Sequence, residues 1–357
     1  MVTPCNLSTF LDKSGALLDV RSPAEFEQGH IPAAISVPLF SDAERAEVGT
    51  CYKQQGRDAA VELGLAIASP KLPGFITTAK QLAPDRVVRL HCWRGGMRSG
   101  AMAWLLETAG FQVAILAGGY KAFRRWALQA VELPRPIVIV GGMTGSGKTD
   151  ILQALATLGE QVVDLEAIAH HRGSSFGALG LPPQPSNEQF ENELAVQWAQ
   201  CDPQRVVWLE AESKRVGRCR IPEALFQQMM QAPVLEVVRS RDERLALLVD
   251  IYGTATTEEL ILATERIRKR LGGLRTQQAV DLLGDRRLVD ACDLMLHYYD
   301  KTYTYDLQQR NVTTTPVDIT GLSAEASAKR LLQEVQAVCP PPLQPNFITA
   351  SHSSLNV

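Results

Sequence analysis

A chain of 357 residues is too long for one ordinary hydrophobic core, and its length favours two domains, each with its own interior. Hydrophobic residues at 45% and charged residues at 21% lie near globular averages, which excludes a fibrous or extensively unstructured chain. A net charge of -3 gives no whole-protein attraction to nucleic acid, so an RNA partner must be held by a local basic surface.

The N-terminal residues lack a basic stretch followed by a long apolar run, and no later segment has the uninterrupted apolar length of a bilayer span. Neither export nor membrane insertion is expected. Seven cysteines, an odd number without metal-ligand spacing, suit a reducing, cytoplasmic setting without a zinc site.

In chain order, 16–20 (ALLDV) is a short apolar run, and Ser22 then caps a helix that Pro23 opens. A second run, 86–91 (RVVRLH), leads into CWRGGMRSG, followed by the helical pattern of 101–110, which Gly110 ends. A third, 111–116 (FQVAIL), precedes the turn at Gly118 and Gly119 and an amphipathic helix over 120–133. Alternating strands and helices predict a parallel sheet with helices on its faces. Two prolines in 133–136 (LPRP) mark a domain boundary, after which 137–149 (IVIVGGMTGSGKT) starts a fresh strand, loop and helix. Runs at 161–165, 205–210 and 233–238 predict a second parallel sheet, and from Arg241 the sequence is mostly helical. The stretch 340–357, rich in proline and small polar residues, reads as a disordered tail.

In the loop after His91, glycines allow several backbone N–H groups to converge on one point beside Cys92. That nest, the following helix N-terminus, Arg94 and Arg98 all favour the nucleophilic thiolate. Arg98, six positions after Cys92, suits a fork closing over a tetrahedral oxyanion. The pattern H-C-x-x-x-x-x-R-S is also that of cysteine-dependent phosphatases, so the motif leaves two reaction classes open. The second loop matches G-x-x-x-x-G-K-[ST] in the strand-to-helix context that motif requires. Gly142, Gly145, Ser146, Gly147 and Lys148 are expected to cradle phosphates, with Thr149 as a magnesium ligand. Asp164 and Glu210 are candidate supporting acids, with solvated strand ends as the competing reading.

Residues 19–39 (DVRSPAEFEQGHIPAAISVPL) and 116–126 (LAGGYKAFRRW) resemble the rhodanese family, whose cysteine carries transferable sulfur or selenium as a persulfide-type adduct. The loop from Cys92 to Arg98 is one residue longer than that of ordinary sulfurtransferases, which leaves room for a phosphate-sized group. With 44–56 (ERAEVGTCYKQQG), the phosphate loop, 164–177 (DLEAIAHHRGSSFG) and 296–305 (LHYYDKTYTY), the chain is similar to bacterial tRNA 2-selenouridine synthases over nearly its whole length. The resemblance implies an α/β protein with a rhodanese-like parallel-sheet domain at 1–133. A P-loop NTPase-like α/β domain with a helical C-terminal part would follow at 134–339. It implies replacement of sulfur by selenium in wobble 2-thiouridine of tRNAs for lysine, glutamate and glutamine. The sulfur is first geranylated from geranyl diphosphate, then displaced by selenium from selenophosphate. Cys92 would be the selenium-carrying nucleophile, Arg94 and Arg98 would hold the donor's phosphate, and Lys148 and Thr149 would hold the prenyl diphosphate.

No tightly bound cofactor is expected, and a selenophosphate-supplying enzyme is a candidate partner besides the tRNA anticodon stem-loop. Arg266, Lys269, Arg270 and Arg275 cluster as candidate tRNA contacts, with a solvated helix surface as the alternative. For 297–305 aromatic core packing is favoured over base stacking, and Cys51 is read as structural. Two rivals remain at this level: a cysteine-dependent phosphatase or sulfurtransferase fused to a kinase-like domain, and a non-catalytic RNA-binding module.

Overall fold

Short apolar runs that end in polar loops become parallel strands in both halves of the chain. The computed structural model describes residues 3–308, 310 and 312–338; the tail expected over 340–357 lies outside them. The chain divides into two compact units, Met1–Gln129 and Ala130–Val357, a few residues before the boundary read at 133/134. Val131 already belongs to the second unit, where its carbonyl accepts from Gln228.

The first unit runs α1 (Leu7–Asp12), β1 (Ala16–Asp19), α2 (Pro23–Gln28), β2 (Ile35–Ser36), α3 (Asp42–Gln55), α4 (Arg57–Ala68), α5 (Leu72–Leu82), β3 (Val87–His91), α6 (Met97–Thr108), β4 (Gln112–Ile115) and α7 (Gly119–Ala130). Its sheet has the order β2-β1-β3-β4, with every pairing parallel. Leu18 and Val20 pack with Val88, Leu90, Met102 and Leu106 in the core. Ser22 and Glu25 form the capping box that starts α2, as Ser22 followed by Pro23 predicts. The segment 44–56 forms most of helix α3, which a capping box of Ser41 and Glu44 starts and Gly56 caps. One helical run among the described residues, Arg57–Leu82, is long and apolar enough to cross a membrane by length and composition, with mean hydropathy 1.2. It comprises α4 and α5 joined by a 3-10 turn at Ser69–Lys71, and Ala60, Gly64, Ala68 and Ala79 along it are buried in the unit.

The second unit begins with β5 (Ile137–Gly142), α8 (Lys148–Thr157), β6 (Gln161–Val162), α9 (Leu165–Ala169), α10 (Asn187–Gln200), β7 (Val207–Glu210), the hairpin β8 (Arg215–Val216) and β9 (Cys219–Arg220), α11 (Glu223–Gln231) and β10 (Val234–Val238). Helices α12 (Arg241–Tyr252), α13 (Thr257–Arg266), α14 (Arg268–Leu271), α15 (Gly273–Gly284) and α16 (Leu288–Gln308) follow, then β11 (Thr314–Asp318) and α17 (Ala324–Val338). The five-stranded sheet is parallel in the order β11-β10-β5-β7-β6, and β5 at its centre is buried along its whole length. Val138, Val140, Trp208 and Leu235 pack against Ile151 and Leu155 of α8 and Leu331 of α17. The stretch read as mostly helical contains the strand β11. It carries Pro316, and an edge strand tolerates the missing N–H that a central strand would not.

Each central strand delivers its loop at the C-terminal edge of its sheet, the edge where open parallel sheets bind ligands. In the first unit the start of α7 holds that loop: the N–H groups of Tyr120 and Lys121 donate to the carbonyls of Cys92 and Trp93, at 2.8 and 3.0 Å. Gly119 has φ 58°, and a Cβ there would lie 2.3 Å from the Cys92 carbonyl oxygen. We therefore expect Gly119→Ala to lower stability by ~1–3 kcal/mol, the range for strained backbone, and to displace the cysteine loop. Chemical denaturation together with the rate of Cys92 alkylation checks this.

Candidate functional sites

Cys92 leaves β3 directly above the sheet edge and is 3% exposed. Its Sγ lies 3.3 Å from the Ser99 hydroxyl, which also donates to the Gly96 carbonyl at 3.1 Å. The hydroxyl has one proton, so it serves Gly96 while Cys92 is a thiol and can turn to the sulfur when the thiolate forms. Burial opposes ionisation, but hydrogen bonds from the Ser99 side chain and from the amides of Ser99, Arg94 and Gly96 outweigh it. They hold the Cys92 thiol below its ordinary pKa. Arg94 therefore favours the thiolate through its backbone, and its side chain is exposed.

Arg98 lies in a forked pair with Glu25, Nη1 to Oε2 at 2.6 Å and Nη2 to Oε1 at 3.3 Å. Burial works against the Glu25 charge, yet Arg98 holds its carboxyl below the usual range. Below the loop, fully buried Arg21 donates to Asp19 and to the Gly29 carbonyl, and lies over the Tyr120 ring at 3.8 Å. His91, 3.7 Å from Asp19, has its pKa lowered to about 4 by burial, with the Arg21 charge adding to the effect, so it is neutral near pH 7.

In the second unit the phosphate loop joins β5 to α8. Gly145 has φ 80°, and a Cβ there would meet the Arg244 carbonyl oxygen at 2.8 Å and the Leu248 side chain at 3.0 Å. Lys148 Nζ reaches back to the Gly142 carbonyl at 2.9 Å and to Glu210 at 3.4 Å. Thr149 donates to Glu166 at 3.3 Å. Glu166, Glu210 and Glu212 bring carboxylate oxygens within 4.8 Å of one another. Burial and then mutual repulsion push Glu166 up to about 10 and Glu212 up to about 8, and burial raises Glu210 despite Lys148. Glu210 Oε2 is buried with no hydrogen-bond partner. Clustered hard oxygens beside a threonine hydroxyl fit a divalent cation.

Of the two acids read from the sequence, Glu210 stands at the lysine, whereas Asp164 caps α9 by accepting from Ala167 N at 2.9 Å. Glu166 and Glu212 were not anticipated, although the spacing of Glu210 and Glu212 at a strand end is a signal. Arg239 was also missed: it follows β10, and its guanidinium carbon lies 4.0 Å from where a Cβ on Gly147 would stand. Arg266, Lys269, Arg270 and Arg275 are all exposed, while Ile267 and Leu271 between them are buried. Arg268, in the same stretch, is held by Glu265 at 2.6 Å. Tyr298 and Tyr299 pack against the helical core, as read, and Tyr305 is exposed.

Residues 4–125 match the family model "Rhodanese-like domain", and residues 135–321 match "tRNA 2-selenouridine synthase AAA domain". Among curated proteins, the tRNA 2-selenouridine synthase of Shewanella denitrificans is 37% identical over 82% of this chain and 89% of its own. That of Marinobacter nauticus is 37% identical over the same shares, and that of Salmonella schwarzengrund is 38% identical over 82% of this chain and 90% of its own.

Because Ser99 is the side chain that supports the Cys92 thiolate, Ser99→Ala should raise the pH midpoint of Cys92 alkylation. The alkylation rate at neutral pH should fall about tenfold, the equivalent of one hydrogen bond to a charged group at ~1.5 kcal/mol. An unchanged pH profile would assign the thiolate's support to the backbone amides alone.

Proposed function

The chain belongs to the tRNA 2-selenouridine synthase family, and from that premise we propose that it converts 2-thiouridine in tRNA to 2-selenouridine. The observation that carries this reading is the pairing, in one chain, of a thiolate-stabilising anion loop at Cys92 with a lysine-bearing phosphate loop at Lys148. One loop suits a chalcogen donor with a phosphate group, and the other suits a diphosphate.

In the first step, geranyl diphosphate loses diphosphate, which departs with the electron pair of the allylic carbon–oxygen bond. The thiocarbonyl sulfur of the uridine bonds to that carbon, and the N3 proton is released. Lys148, the amides of Gly145 to Lys148 and Arg239 hold the departing charge. Glu166, Glu210, Glu212 and Thr149 would hold a divalent cation, which supplies further charge neutralisation for diphosphate when bound.

In the second step selenium leaves phosphorus with the phosphorus–selenium electron pair and attacks C2 of the base. Geranyl thiolate leaves with the carbon–sulfur pair, and water supplies the oxygen that completes phosphate. The Cys92 thiolate bonds to phosphorus as selenium leaves it, and water then cleaves that sulfur–phosphorus bond, releasing phosphate and the thiolate. Arg94 and Arg98 hold the donor's phosphate, with Arg98 exchanging Glu25 for it. The tRNA backbone is met by the exposed run at Arg266, Lys269, Arg270 and Arg275.

Cys92→Ser should abolish selenation while leaving S-geranyl-2-thiouridine formation intact. Lys148→Ala should slow geranylation by ~10²-fold, the scale of losing one preorganised charge-stabilising group, yet still permit selenation of pre-geranylated tRNA. Nucleoside mass spectrometry of the reacted tRNA reads both. Selenouridine formed at the normal rate by Cys92→Ser would remove Cys92 from the mechanism.

A further inference from the structure

An apolar cavity of roughly 400 Å³, its open mouth included, lies in the helical part of the second unit and touches the phosphate loop at Thr144. Its walls include Leu248 of α12, Leu260 of α13, and Leu288, Cys292, Met295 and Leu296 of α16. The loop after α9 contributes Phe176, whose ring lies 5.6 Å from that of Tyr252. That loop is fastened to α13 by a 2.8 Å hydrogen bond from the Ser175 hydroxyl to the Ala263 carbonyl.

We infer that this cavity receives the hydrocarbon tail of a short isoprenoid diphosphate whose diphosphate lies in the phosphate loop. The inference rests on the geranyl-donor reading above and assigns it a site. Two observations support it.

The first is continuity. Arg244 donates from Nε to the Thr144 carbonyl at 2.9 Å, and one turn later on the same helix Leu248 stands in the cavity wall. One helix therefore sets both the phosphate loop and the cavity beside it. The second is chemistry. A nucleobase brings edge donors and acceptors that need partners when buried, and such a wall provides few. Two of its hydroxyls, Ser174 and Tyr252, lie 3.5 Å apart and partner each other, which leaves the buried Tyr299 hydroxyl as the polar group of the wall without a hydrogen-bond partner. Burial pushes the Cys292 thiol up to about 11, so at neutral pH it is one more apolar wall group. A hydrocarbon chain needs no partners, and each methylene it buries tightens binding about fourfold.

The test measures binding of inorganic diphosphate, geranyl diphosphate, geranylgeranyl diphosphate and ATP to the full chain by calorimetry. Geranyl diphosphate should bind at least a hundredfold more tightly than diphosphate, and more tightly than the twenty-carbon donor. Leu288, half-buried in the wall, permits opposite changes at one position. Leu288→Trp should weaken geranyl diphosphate at least tenfold without altering diphosphate affinity, and Leu288→Ala should shift preference toward the longer chain. If Leu288→Trp does not fold, the shift in Leu288→Ala decides alone. Tight geranyl diphosphate binding that neither variant alters would place the tail elsewhere and overturn this inference while leaving the donor reading intact. ATP binding tightly with no preference of geranyl diphosphate over diphosphate would overturn both.

Discussion

The buried guanidinium of Arg244 is the interaction on which the second unit's site depends. It is 5% exposed, and a charge so placed is tolerated only when paired and hydrogen-bonded. Its partners are Asp300 of α16, the Thr144 carbonyl and the Met143 sulfur. One side chain on α12 thus joins the start of the phosphate loop to α16. Removing Asp300 would leave the buried Arg244 charge without its ion-pair partner, whereas removing Arg244 would leave a carboxylate that is partly exposed and so less costly to strand. Because Leu248 and Leu296 lie on those same two helices, the pair also sets the cavity walls relative to the phosphate loop.

The first unit meets a similar demand with different parts. Arg21 is buried against Asp19 and the Tyr120 ring, and the Tyr120 amide holds the Cys92 carbonyl. The charge at the end of β1 therefore braces the start of α7, which in turn holds the Cys92 loop. A buried cation over an aromatic ring adds ~2 kcal/mol when desolvated, beyond the ion pair itself. His91 and Asp19 fill the remaining space at the sheet edge, with His91 neutral, so no second positive charge competes with Arg21.

In the glutamate cluster, charge is left unbalanced. Three carboxylates beside one lysine cannot all ionise in a buried site, and Glu166 and Glu212 are pushed toward neutrality. Under the proposed function, a phosphate-bearing ligand with its cation would reverse that balance, the cation facing the glutamates and the anion facing Lys148 and Arg239.

The sequence by itself determined the two strand, loop and helix units, the glycines that bend each loop, and the positions of Cys92 and Lys148. These are local properties, carried by apolar periodicity and by residues within a few positions of one another. It did not determine which distant side chains would meet them. Glu25 takes the Arg98 fork from 73 residues away, and Asp300 reaches Arg244 across 56. Asp164 looked equivalent to Glu210 as a strand-end acid, but the turn into α9 uses it as a helix cap and brings Glu166 to Thr149 instead. The strand β11 was hidden for a related reason, since Pro316 disguises it and only its place at the sheet edge makes it a strand. Long-range partners, the charge balance among the glutamates and the cavity beside Thr144 arise when separate elements are packed together. Tertiary structure alone decided them, because no spacing along the chain encodes which side chains will share a buried volume.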